Sequence, residues 1–406
     1  MSNQTVLLRW HCPQKWEKPD KLYEKIKPGN IGFIVYVANT HGHSLPCIFQ
    51  SRRKDIRQMS AFTVVPANQS ADNNAKMIYQ WLSGLSERQG KKLISGIFGG
   101  YSNIGGVDAF SLQQGKDLQA LTGKFPAIYS ADYARGWDAC TPGEEASLID
   151  FGCNADLIDH WKKGGLVAIS HHLPNPCFAG NNPGDGKGAL KHPVSNDEFS
   201  AILQSGTPAR GRWLAMLDKV AQGLQQLNEK GVTVFYRPLH EMNGEWFWWG
   251  ATGENTNDTV RMDLYRRLYQ DIFNYFVKTK GLNNLLWVFS PDANRDYKTS
   301  YYPGAEYVDI TGLDLYTDNP ATVNGYDEMV ALNKPFAFAE VGPSTINGQF
   351  DYANLVSVIL QKYPKATMFI PWNNDWSPLK NLNASGAYNN DRVINLGEVW
   401  NGSVLS

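Results

Sequence analysis

Val232-Thr-Val-Phe-Tyr-Arg-Pro-Leu-His-Glu-Met-Asn-Gly-Glu-Trp-Phe-Trp-Trp-Gly250 is the most informative stretch of the chain. Its apolar start, Val232 to Tyr236, leads into the pair His240-Glu241, and a short turn then opens on Trp246, Phe247, Trp248 and Trp249. A short run rich in β-branched and aromatic residues reads as a strand. The carboxylic acid is therefore delivered at a strand end beside flat apolar platforms. Any single Trp reads as core, but four consecutive aromatics beside two glycines resist burial on one face. A carboxyl able to donate a proton, set against ring faces able to hold a sugar, suits glycoside hydrolysis.

Downstream, Lys334-Pro-Phe-Ala-Phe-Ala-Glu-Val-Gly-Pro343 is a second apolar run closing on a glutamate, Glu340. Phe336 to Ala339, bounded by Pro335 and Gly342, reads as a strand buried on both faces. A glutamate ending such a strand sits at the sheet's carboxyl edge, where parallel α/β folds build their sites. Two glutamates so placed can face one another across a barrel mouth. Hydrolysis with retention needs its two carboxyls roughly 5 Å apart, one as nucleophile and one as acid/base.

The alternation extends through most of the chain. Strand-like runs occur at Lys92 to Phe98, Pro126 to Tyr133, Leu166 to Ser170, Val232 to Tyr236, Asn284 to Phe289, Val308 to Leu315, Pro335 to Ala339 and Thr367 to Pro371. Helical patterns lie between them, such as Trp213 to Glu229 and Val260 to Lys278; in the first, Leu214, Leu217, Val220, Ala221, Leu224 and Leu227 keep one stripe apolar. Eight strands alternating with helices predict an α/β fold, a (β/α)8 TIM barrel over residues 67–406, entered by a helix at Ala75 to Glu87. Residues 1–66 do not follow the alternation and read as an N-terminal extension, with strand-like pieces at Val6 to Trp10 and Ile31 to Val37 and a basic helical piece at Lys15 to Lys27. Gly180 to Gly188 reads as a long loop after the third strand, either one that shapes a cleft or a disordered insert.

Composition agrees with a large enzyme. The 406 residues are 42% hydrophobic and 19% charged, with a net charge of −1, so nothing points to nucleic acid or an anionic membrane surface. The longest apolar run, Ile31 to Ala38, is far short of the roughly 20 residues of a membrane helix. The start, Met-Ser-Asn-Gln, lacks the basic and apolar regions of a signal peptide. Five cysteines leave at least one unpaired within the chain; Cys140 with Cys153 and Cys12 with Cys47 are the pairings that would close local loops, and five free thiols are the alternative. There is no Cys-x-x-Cys, and His41-Gly-His43 is isolated, so no metal or cofactor is called for. His240-Glu241 does not begin a zinc-protease motif, because position 244 is Gly. Neither a Gly-x-Ser-x-Gly nor a Gly-x-Gly-x-x-Gly occurs. Outside catalysis, the competing reading is a carbohydrate-binding protein on a degenerate barrel.

Arg237-Pro-Leu-His-Glu-Met-Asn-Gly244, Trp246-Phe-Trp-Trp-Gly250 and Phe338-Ala-Glu-Val-Gly342 together resemble the family 26 glycoside hydrolases, mostly endo-β-1,4-mannanases, over roughly Asn68 to Trp376. The resemblance implies a retaining double displacement with Glu241 as acid/base and Glu340 as nucleophile. It implies further that His240 bonds the nucleophile or the substrate, and that His172, in Ser170-His-His172, contacts the sugar at the cleavage point. Tyr316 would sit against the nucleophile with Asp314 on the same strand end. Trp372 would be the platform beneath the cleaved sugar, Trp246 would close the leaving-group side, and Trp249 would join this substrate-binding set. Trp137 and Trp376 are candidates for outer subsites, and Arg237 for orienting a glutamate. The expected partner is a β-mannan polysaccharide (mannan, galactomannan or glucomannan), the enzyme being a monomer that works outside the cell. β-1,3-Xylan and mixed-linkage β-glucan are the alternative substrates on this fold.

Overall fold

The structure, a computed structural model, describes residues 33–38, 44–49, 64–102 and 108–399. The chain divides into two compact units, Met1–Thr63 and Val64–Ser406. In the first, strands Phe33–Ala38 and Ser44–Phe49 pair antiparallel, Phe33 opposite Phe49 and Ala38 opposite Ser44. The first of these overlaps the strand expected at Ile31 to Val37. The pieces at Val6 to Trp10 and Lys15 to Lys27, the His41-Gly-His43 pair and the Cys12–Cys47 pairing lie outside the described residues.

The second unit is the barrel. Its strands are β1 (Leu93–Tyr101), β2 (Ile128–Arg135), β3 (Leu166–His172), β4 (Val234–Arg237), β5 (Leu285–Phe289), β6 (Ile310–Tyr316), β7 (Phe336–Gly342) and β8 (Ala366–Pro371). Each pairs in parallel with the next, and β8 closes on β1 through Met368 opposite Ile94 and Phe369 opposite Ser95. A short β9 (Val393–Ile394) adds to the start of β1. All eight barrel strands overlap the expected runs, with ends shifted by up to three residues.

Helix α1 (Asn73–Leu85) enters the barrel, and the crossovers carry α2 (Gln113–Thr122), α3 (Asn154–Lys162), α4 (Asn196–Ile202) with α5 (Pro208–Glu229), α6 (Thr259–Asn274), α7 (Tyr326–Val330) and α8 (Tyr352–Lys362). Local chemistry sets their starts. Ser195 and Glu198 form a capping box on α4, Thr207 caps α5 ahead of Pro208, and Asp258 caps α6. The α5 stripe Trp213, Leu217, Val220, Leu224 and Leu227 is fully buried against the sheet, each such side chain contributing about 1.5–3 kcal/mol relative to exposure. One crossover breaks the alternation. Between β5 and β6 the connection holds a 3-10 turn, Lys298–Tyr301, and no α-helix, because Pro291, Pro303 and Gly304 bracket a segment without an apolar stripe.

Strand residues alternate between two cores. Ile128, Ala168, Phe235, Leu286, Val288, Ile310, Ala337, Ala339, Met368 and Ile370 fill the barrel interior. Their neighbours Tyr129, Val167, Val234, Tyr236, Trp287, Leu313, Phe338 and Phe369 face the helices. Cys140, Cys153 and Cys177 are free. The expected Cys140–Cys153 bridge is therefore not formed: Cys153 is buried at the start of α3, while Cys140 is tied by backbone bonds to Asn181 in the long loop.

Candidate active site

Beyond β4 the backbone takes a strained path. Leu239 and Glu241 have φ of 51° and 54°, a left-handed conformation that costs a residue with a side chain about 1–3 kcal/mol. Four bonds hold it there. Leu239 O accepts from Tyr265 Oη at 2.9 Å, His240 O from Trp249 Nε1 at 2.8 Å and Glu241 O from Gly244 N at 3.0 Å, while Glu241 N donates to Ser290 O at 2.9 Å. On β7 a register shift has the same purpose. Leu313 pairs with Phe338 but Asp314 pairs with Glu340, so β7 carries one extra residue. Strict alternation from Ala339, which points inward, would send Glu340 toward the helices; the bulge turns it into the barrel mouth.

Carboxylate oxygens of Glu241, Glu340 and Asp314 lie within 4.8 Å of one another. Such a trio could bind a cation, but the guanidinium of Arg237 already bridges two of its members, bonding Asp314 Oδ2 at 2.9 Å and Glu340 Oε1. Burial alone would weaken Arg237's hold on its proton, and the carboxylates of Asp314 and Glu340 more than restore it. Burial likewise pushes Asp314 upward while Arg237 pulls it back; the direct contact makes the pair ionic. The second oxygen of Glu340 accepts from Tyr316 Oη at 2.8 Å. Glu241 is in a different environment. Burial first, and then the charge of Glu340, raises its pKa well above the usual carboxyl range, opposed by one hydrogen bond from Trp246 Nε1 at 2.7 Å. The two glutamates are thus differentiated by their neighbours, one fixed by a cation, the other favoured in its protonated form.

A histidine pair lines the adjoining wall. Asp132, fully buried in the second half of β2, accepts from His172 N at 3.0 Å, from Ser170 Oγ at 2.8 Å, and contacts His172 Nδ1 at 2.8 Å. His172 Nε2 then lies 3.1 Å from His240 Nε2, which is 3.9 Å from Glu340 Oε1. Burial, and next the charge of Arg237, hold His240 well below its ordinary pKa, so its ring is neutral. On the other side Trp372 stacks on Phe98 with centroids 3.7 Å apart and planes 6° from parallel. Half-buried Trp137 meets Tyr101 and His172 edge to face, and Trp376 meets Tyr316 in the same way.

The structure thus gathers Glu241, Glu340, His172, His240, Trp246, Tyr316 and Trp372 into one mouth, and separates two members of the expected set from it. Trp249 is fully buried, as is Trp248, and has no ring face to offer a sugar; its indole N–H instead holds the His240 carbonyl. Of the aromatic cluster, Phe247, Trp248 and Trp249 are core, because the chain doubles back over the barrel wall, and Trp246 alone is half-exposed. Asp314 is also fully buried, beneath the site, as the partner of Arg237 and Ser290. We expect Trp249→Phe to lower stability by about 1–3 kcal/mol, the cost of a buried carbonyl losing its donor. Chemical denaturation should show that loss with KM unchanged; a raised KM at unchanged stability would return Trp249 to the substrate. Asp132 and Asn243 were not singled out by the sequence, although Asp132 interrupts the strand-like run Pro126 to Tyr133 with a charge.

A closed parallel barrel with two environmentally distinct carboxyls, one just beyond β4 and one on β7, walled by aromatic rings, defines a glycosidase of the barrel class. The chain belongs to glycosyl hydrolase family 26, whose model matches residues 67–398. It is 48% identical over 350 residues to the mannan endo-1,4-beta-mannosidase of Bacillus subtilis (strain 168), covering 86% of this chain and 93% of that protein. Among solved structures, Bacillus subtilis mannanase man26 is 47% identical with a TM-score of 0.80, covering 85% of this chain and 99% of that one. The Podospora anserina GH26-CBM35 beta-(1,4)-mannanase is 26% identical with a TM-score of 0.63, covering 87% and 72%.

Proposed function

We propose that this protein is a retaining endo-β-1,4-mannanase acting on mannan, galactomannan or glucomannan. The observation that carries the reaction type is the pair of carboxylates within 4.8 Å, one bonded to Arg237 and the other desolvated. The choice of substrate is supported by 48% identity over 350 residues to a mannan endo-1,4-beta-mannosidase. Ionised Glu340 attacks the anomeric carbon while Glu241 gives its proton to the glycosidic oxygen, so the C–O bond breaks as the ester bond forms. Esterification removes the Glu340 charge that raises the Glu241 pKa. Now a stronger acid and hence ionised, Glu241 takes a proton from water, which attacks the anomeric carbon, breaks its bond to the Glu340 carboxylate and releases the sugar with its original configuration.

Arg237 and Tyr316 hold Glu340 at both oxygens and set its angle of attack. Trp372, backed by Phe98, is the platform for the sugar at the cleavage point, with His172 and His240 beside it. Action outside the cell is part of the same reading, since a polysaccharide does not cross a membrane. The test is reducing-end release from mannan, galactomannan, glucomannan, β-1,3-xylan and mixed-linkage β-glucan. Turnover concentrated on the mannans, with oligosaccharides of several lengths appearing early, is expected. Turnover confined to xylan or β-glucan would overturn the substrate, and silence across the panel would overturn the enzymatic reading.

A further inference from the structure

The acid/base reading leaves unexplained how Trp246 keeps its indole pointed at Glu241. One ring edge lies so close to Gly244 that a Cβ there would sit 2.3 Å from Trp246 ring atoms, so only glycine allows this pose. Over the ring lies Arg295, its guanidinium carbon 5.1 Å from the indole centroid. Arg295 is itself fixed by a two-point fork on Glu245, Nε to Oε2 at 3.0 Å and Nη2 to Oε1 at 2.9 Å. That hydrogen bond, ahead of every other influence, holds the Glu245 carboxyl below its usual range, so both partners are charged.

The backbone beneath Arg295 is equally constrained. Asn243, two residues after Glu241, donates to the carbonyls of Asp292 at 2.9 Å and Arg295 at 3.0 Å and accepts from Asp292 N at 2.8 Å. Buried Lys298 donates to the same Arg295 carbonyl at 2.6 Å. The loop after β5, which carries no crossover helix, is thus docked onto the turn after Glu241 through Asn243, with Arg295 over the indole.

We propose that Arg295 is a positioning residue for the reaction: locked on Glu245, it clamps Trp246 in the one orientation that donates to Glu241. The inference rests on the reading of Glu241 as acid/base. Half-exposed ion pairs add little to stability, so a bidentate pair on a bolted loop is better explained by geometry than by folding. When the clamp is removed the indole can rotate away. Glu241 then loses the donor that favours its carboxylate form, and its proton is held to higher pH.

The test is the pH dependence of kcat/KM on mannan for Arg295→Met/Glu245→Gln, a replacement that removes the pair without changing net charge. The alkaline limb is expected to move upward by about 0.5–1 pH unit. Trp246→Phe, which deletes the indole N–H and keeps a ring, should move it equally, and the triple variant no further, since all three act through one hydrogen bond. A merely structural role would lower kcat/KM at every pH and leave the limb in place. An unmoved limb in the double variant, or additive shifts in the triple, would overturn the proposal. Glu241→Gln in the same series separates the two readings. If it turns mannan over like the parent, the acid/base assignment fails; if it loses turnover while the double variant's limb stays put, only the clamp fails.

Discussion

Glu340→Ala should leave the barrel folded and cut turnover of mannan by roughly 10⁴-fold or more, as removal of a nucleophile does when the remaining machinery cannot replace it. Arg237 keeps its bond to Asp314 in the variant, so no buried charge is stranded, and Tyr316 sits at the cleft where water can replace its acceptor. Loss of activity can therefore be separated from loss of fold by circular dichroism and thermal melting. A sharper readout follows from the geometry. The truncated side chain opens space on the face of the sugar opposite the leaving group, and a small anion such as azide can enter it. With an activated aryl mannoside, azide is expected to restore turnover and to yield a glycosyl azide of inverted configuration, because one displacement has replaced two. Substantial azide-independent turnover of mannan by a folded variant would remove Glu340 from the nucleophile's role.

Much of this site was legible because strand ends are marked by abrupt changes of residue type. Ala339-Glu340 and Leu313-Asp314 break apolar runs, and a charge at such a break on a doubly buried strand has to lie at the sheet edge. The eight barrel strands were readable for the same reason. Direction within the mouth was not readable. Period-two alternation sends Glu340 outward, and only the extra residue in β7 reverses it; a bulge is a register between two strands, which one strand's sequence does not contain. Burial misled the reading of the aromatic cluster. Four adjacent rings cannot share one face of a regular element, but the segment after Glu241 is a series of tight turns, which turns Trp248 and Trp249 into the core and leaves Trp246 at the mouth. His171 and His172 show the opposite case. They alternate on a true strand, so His172 reaches the site while His171 bonds Tyr236 on the helix side, its pKa lowered to about 4 by burial. Asp132 breaks the apolar run Pro126 to Tyr133 as visibly as either glutamate breaks its own; what was missing was its partner, because the Asp132–His172 contact joins residues 40 apart.

Glu241→Ala is the second large effect, and its size should depend on the leaving group. Against mannan, whose leaving sugar hydroxyl needs a proton, loss of general acid help should cost about 10²–10⁴-fold. Against an aryl mannoside with a nitrophenolate leaving group, the first step needs no acid and should proceed. The second step then limits, since no base activates water, and the glycosyl-enzyme should accumulate as a burst visible by rapid mixing and by intact mass. Azide, which needs no base, should relieve the block and give a product of retained configuration, the opposite stereochemistry to Glu340→Ala. The pH profile supplies an independent check with a defined sign. In the parent, kcat/KM requires Glu241 protonated, so the alkaline limb reports its ionisation, displaced upward by burial and by the charge of Glu340. In Glu241→Ala with the activated substrate that limb should disappear. The same upward displacement bears on folding: a carboxyl whose folded-state pKa exceeds its unfolded value contributes stability at low pH that is lost as pH rises through the folded value. Glu241→Gln, neutral throughout, should therefore melt less pH-dependently than the parent and gain most at alkaline pH. An alkaline limb that survives in Glu241→Ala, with no burst and no azide response, would assign proton transfer to a different group.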